Sequence, residues 1–100
     1  MVNNIFLALG SNKGDRFEFV QETVIKISED PLCRVLNCSA IYETTPYGKV
    51  DQPDFLNAVI EIESDYSAHE LLTYVKDLEK EIGRTADNEK WGQREIYVDI

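Results

Sequence analysis

Arg84 and Arg94 bracket Lys90 and Trp91 near the end of this sequence, and Asp99 follows two positions after Tyr97. Planar guanidiniums clamp phosphate oxygens through paired hydrogen bonds, and a carboxylate is the usual protein ligand of hydrated Mg²⁺. A phenol with a pKa of about 10 is neutral at pH 7 and binds magnesium weakly, so Tyr97 adds no second anion. Earlier in the chain, Asn57 offers a carboxamide, which both donates and accepts. Each residue also has an ordinary reading. Arg84 and Lys90 suit solvated charge in a loop, Trp91 suits packing over a helix end, and Asn57 suits a solvent-facing amide. His69, at the second position of a helix start, reads as a surface residue. Lys76 and Glu79 read as exposed helix charges.

The elements that would position these groups follow one another without a repeat or a flexible linker. Residues 5–9 are a short apolar strand that runs into the turn-rich loop Gly10, Ser11, Asn12, Lys13, Gly14. Asp15 and Glu18 have N-cap spacing, and Phe17, Val20, Val24 and Ile27 recur at helical intervals. Pro31 follows that helix. The stretch 34–44 is rich in strand formers and reads as one long strand, and the Pro-containing loop over 45–54 follows it. In the next strand Leu56, Ala58, Ile60 and Ile62 alternate with Asn57, Glu61 and Glu63.

Ser67 and Glu70 spell a capping box for a second helix, with Leu71, Leu72, Val75, Leu78 and Ile82 on its apolar stripe and Gly83 as its stop. After a polar loop over 84–93, Ile96, Val98 and Ile100 alternate with Glu95, Tyr97 and Asp99 as a final strand. The order βαββαβ predicts an α+β, ferredoxin-like domain over residues 1–100: a four-stranded antiparallel sheet with both helices on one face. On that plan Asn57, Tyr97 and Asp99 share the open face. If their strands are neighbours, the loops after Thr44 and Gly83 cover a cleft suited to a small ligand.

Composition narrows the choices. One hundred residues, 43% apolar and 29% charged, suffice for one core and argue against disorder. A net charge of −9 repels polyanions, so a general nucleic-acid binder is not expected. The apolar runs fall short of a membrane span and the first residues lack a basic leader, which makes the cytoplasm the expected address. Cys33 and Cys38 would point to opposite faces of one strand and remain reduced, and one histidine without a C-x-x-C pair gives no zinc site. No Walker-type loop is present.

Three motifs carry a resemblance to the 6-hydroxymethyl-7,8-dihydropterin pyrophosphokinase family. Thr44, Thr45, Pro46, Tyr47 and Gly48, with the unbroken run from Asp51 to Asn57, resemble the family's T-P-P-x-G and D-Q-P-x-[FY]-L-N stretch. Gly83 and Arg84, then Trp91, Gly92, Arg94, Asp99 and Ile100, resemble G-R-x-R and W-G-P-R-x-x-D-x-D-I; Gly10, Ser11 and Asn12 resemble the opening G-S-N. The resemblance implies transfer of diphosphate from ATP to the pterin hydroxymethyl group. It implies a pterin site at Thr44, Thr45, Pro46, Tyr47, Phe55 and Asn57, and a nucleotide site at Glu79, Arg84, Lys90, Trp91 and Arg94, with Arg84 and Arg94 catalytic. Asp99 would hold Mg²⁺.

Departures from the pattern shape a further expectation. Tyr97 stands where the first metal-binding aspartate is expected, Ala86 and Gln93 replace an arginine and a proline, and Lys76 replaces a polar neighbour of the nucleotide. Family members continue past the D-x-D-I strand with further basic and aromatic residues, so these 100 residues are expected to turn over substrate poorly. The alternatives are a non-catalytic pterin-binding or interaction module on the same scaffold, and an unrelated ferredoxin-like partner domain that dimerises through its open sheet. The expected partners are pterin and ATP, with no nucleic acid or membrane, in a monomer or weak homodimer.

Overall fold

The computed structural model describes residues 2–45, 53–83 and 96–100. Strand β1 (Val2–Ser11) leads into helix α1 (Arg16–Glu29), followed by β2 (Cys33–Cys38), β3 (Tyr42–Thr44), β4 (Phe55–Ser64), helix α2 (Ala68–Ile82) and β5 (Tyr97–Asp99). The sheet is antiparallel throughout in the order β2-β4-β1-β5, and β3 joins β4 beyond β2. Helix α1 packs on β1, β2 and β4, and α2 packs on β5 and α1. Both helices therefore cover one face, and the α+β ferredoxin-like arrangement stands.

Local chemistry sets the helix ends. The Asp15 carboxylate accepts from the Glu18 N–H at 3.1 Å. At α2 the box closes both ways, the Glu70 N–H donating to Ser67 Oγ at 3.1 Å and the Ser67 N–H to Glu70 Oε1 at 2.8 Å. Gly83 caps the other end, its N–H donating to Glu79 O. Between helices and sheet, Leu7, Leu9, Ile60, Ile62, Val75 and Val98 are wholly inaccessible to solvent. Burial of that kind is the main stabilising term in a domain of this size.

Four expectations need correction. The stretch 34–44 is two strands, because Ser39 takes over the ladder: its N–H donates to Val59 O and its Oγ accepts from the Val59 N–H, both at 2.8 Å. A serine side chain that bonds the neighbouring backbone competes with regular pairing. Phe17 is 52% exposed, and buried Thr23 fills the helix face by donating its hydroxyl to Phe19 O at 2.8 Å. Leu72 and Ile100 are also exposed; with Ile5, Tyr66, Ala68 and Leu71 they line an apolar hollow of about 290 Å³ rather than joining the core. Finally, β4 and β5 are not neighbours, since β1 runs between them. Cys33 is buried, Cys38 is exposed, and both are free thiols.

Candidate functional site

Asn57 lies where three strands come into register, opposite Tyr42 of β3 on one side and Gly10 of β1 on the other. It is on the open face of the sheet, yet only 3% exposed. Its Nδ2 donates to Thr44 Oγ1 at 2.9 Å, Tyr42 O at 3.2 Å and Phe55 O at 3.3 Å. The two carbonyls need a donor, so they fix which end of the amide points inward. Asn57 Oδ1 is left facing the sheet surface.

Gly10 is also the register partner of Tyr97. A Cβ at position 10 would run into the Tyr97 ring, within 2.6 Å of Cζ. Only a residue without a side chain lets the ring lie across β1. The tyrosine thereby spans the strand that separates it from Asn57, donates its hydroxyl to Oδ1 at 2.8 Å, and meets Phe55 edge-on with ring centroids 5.6 Å apart. Tyr97, Asn57, Phe55 and Thr44 thus form one contiguous patch, with Thr45 exposed at its margin.

Asp99, two residues along β5, stands opposite Ala8 with its side chain 62% exposed. The ammonium of Lys76 lies 3.6 Å from Asp99 Oδ1 and donates at 3.3 Å to Val98 O and to Glu79 Oε2. Glu79 Oε2 in turn accepts the Val98 N–H at 2.6 Å. Glu79 therefore ties β5 to α2, a task that needs an acceptor but no nucleotide. Among the described residues no three acidic, histidine or cysteine side chains gather as a metal-binding group. One exposed carboxylate facing an ammonium does not fit two magnesium ions, which take oxygen ligands in near-octahedral geometry.

The loop between β3 and β4 is held at its described end by residues whose role the sequence did not reveal. Buried Asn12 donates from Nδ2 to Pro53 O at 3.1 Å. Arg16 donates to Asp54 O at 2.7 Å and to Glu43 Oε2 at 3.2 Å. The G-S-N run was the available signal for Asn12; nothing marked Arg16. Pro46 and Tyr47, the residues Arg84, Lys90, Trp91 and Arg94 expected on the nucleotide side, and Glu95 lie outside the described residues. His69 is exposed at the second position of α2, as expected.

The sequence profile of the 7,8-dihydro-6-hydroxymethylpterin-pyrophosphokinase (HPPK) family matches residues 6–100. The chain belongs to the HPPK family. It is 40% identical over 100 residues to the 2-amino-4-hydroxy-6-hydroxymethyldihydropteridine pyrophosphokinase of Bacillus subtilis, covering 99% of this chain and 59% of that protein. A protein of the same name from Aquifex aeolicus is 38% identical over 96% of this chain and 58% of its own length. The same 38% over 96% of this chain holds for a folate synthesis bifunctional protein of Arabidopsis thaliana, of which the chain covers 20%. The chain therefore spans under two thirds of the length of these relatives.

Proposed function

We propose that this chain is the pterin-binding portion of a folate-pathway pyrophosphokinase. In the reaction it serves, the hydroxymethyl oxygen of 6-hydroxymethyl-7,8-dihydropterin attacks the β-phosphorus of ATP, the bond to the α-phosphate oxygen breaks, and AMP leaves as diphosphate is transferred. The observation that carries this reading is Asn57, a carboxamide locked by two backbone carbonyls with its oxygen turned toward the sheet surface, beside Phe55 and Thr44. Such an amide recognises a heterocyclic edge by hydrogen bonds while an aromatic neighbour contacts the ring. Thr45, Pro46 and Tyr47 would complete the pterin side.

Arg84 and Arg94 would hold the phosphates, with Lys90 and Trp91 alongside. Glu79 contributes by fixing β5 against α2. The described residues alone do not fit a magnesium pair, since Lys76 faces Asp99 and Tyr97 adds no anion. The working compartment in this reading is the cytoplasm, in keeping with two unpaired cysteines.

A specific observation favours a second reading, in which this chain binds pterin without turning it over. Lys76 neutralises Asp99, and Tyr97 points to Asn57 instead of supplying a second anion. AMP release with both substrates present, measured beside titration with oxidised 6-hydroxymethylpterin, separates the two. The expected result is pterin binding with little or no AMP formed. Rapid turnover by the unmodified chain would sink the second reading, and absence of pterin binding that Asn57→Ala can weaken would sink both.

A further inference from the structure

Asn57 Oδ1 is the outward-facing polar atom of the pterin patch, and the Tyr97 hydroxyl sits on it at 2.8 Å. An amide oxygen has two lone pairs, and the phenol takes up one of them on a residue that is only 3% exposed. The amide cannot turn away to offer its other end. Flipping it would aim Oδ1 at the Tyr42 and Phe55 carbonyls, which can only accept. The phenol, by contrast, lies on a glycine, and its ring meets Phe55 by an edge. Of the two partners Asn57 is buried and Tyr97 only half-buried, so an arriving ligand meets the tyrosine first.

We propose that Tyr97 is a latch over Asn57 that determines which ring the site accepts: a heteroaromatic ligand binds by displacing the phenol, and only a ring that brings its own N–H donor can replace it on Oδ1. The proposal rests on the pterin reading above and deepens it. A ring of the same size without an edge N–H would leave a desolvated oxygen unpaired, and buried polar groups reject such analogues strongly. The latch also explains how a tyrosine can occupy a position beside Asp99 without serving as a metal ligand. Its hydroxyl is used on the pterin side of the sheet.

The decisive variant is Tyr97→Phe, which keeps the ring and its Phe55 contact and deletes the competing hydroxyl. Binding of oxidised 6-hydroxymethylpterin to the native chain and to Tyr97→Phe, followed by quenching of pterin fluorescence in stopped flow, is expected to show affinity raised about two- to tenfold in the variant, the span of one net hydrogen bond. Faster association should carry most of that gain. A purely structural tyrosine would leave the association rate unchanged or weaken binding, and either result overturns the latch. The pterin reading fails separately, if Asn57→Ala binds pterin as well as the native chain in both Tyr97 backgrounds. Should Asn57→Ala not fold, the Asn57 side-chain amide resonances of Tyr97→Phe are followed during the titration. Shifts there support ligand contact at Asn57, and unmoved resonances with pterin bound overturn it.

Discussion

A carboxylate is only as useful to a metal as its neighbours allow, and Asp99 has an ammonium 3.6 Å away and a phenol two residues back. Tyr97→Asp would place a second anion on the same face of β5 and remove a weak ligand. The expected outcome is several-fold tighter Mg²⁺-dependent binding of a non-hydrolysable ATP analogue, with a smaller gain in AMP release; calorimetry with and without Mg²⁺ checks it. Strand alternation alone placed Asn57 and Asp99 on the open face, and the structure agrees. Their surroundings were not legible. The burial of Asn57 depends on a tyrosine reaching across an intervening strand, and the Lys76–Asp99 pair depends on how α2 lies along β5. Both are long-range facts that no local spacing encodes.

At the scale of elements, the helix boundaries were written in the sequence because caps are local: Asp15, Ser67, Glu70 and Gly83 each act on backbone within four residues. Ser67→Ala should lower stability by about 0.5–2 kcal/mol, the usual worth of an N-cap hydroxyl, with an unchanged denaturant slope in urea titration. The break at Ser39 was invisible, since it depends on the register with Val59. A second prediction belongs to the turn that joins β4 to α2. Burial, followed by a hydrogen bond to Asp30, pushes the Tyr66 phenol up to about 12, and burial also raises stacked Tyr74. The unfolded chain releases these protons near pH 10 while the folded chain retains them. Their contribution is therefore complete below pH 10 and is lost as pH rises toward 12. Chemical denaturation at pH 9, 10.5 and 11.5 should show falling midpoints, with less fall in Tyr66→Phe.

Across the whole molecule, nineteen acidic residues face ten basic ones in a hundred-residue chain. Self-repulsion of that size opposes compaction and is screened by salt, whereas exposed pairs such as Lys26–Glu81 are worth little to begin with. Raising NaCl from about 10 to about 150 mM, which shortens the screening length from about 30 to about 8 Å, should raise the melting temperature. A fall would show that local ion pairs outweigh net charge. The fold class was legible at this scale because element order and helix faces leave few ways to pack two helices on one antiparallel sheet.

Gly10 sits beneath the tyrosine ring, and this binds the histories of two positions distant in sequence. With tyrosine at 97, even an alanine at 10 is refused, because its methyl group and the ring claim the same space. With a small or short side chain at 97 the objection disappears. Substitutions must then arrive in order, position 97 first and position 10 second. In a library varied at both sites and sorted for folding, non-glycine residues at 10 should be recovered almost entirely alongside small residues at 97, although either library alone would suggest that position 10 is closed.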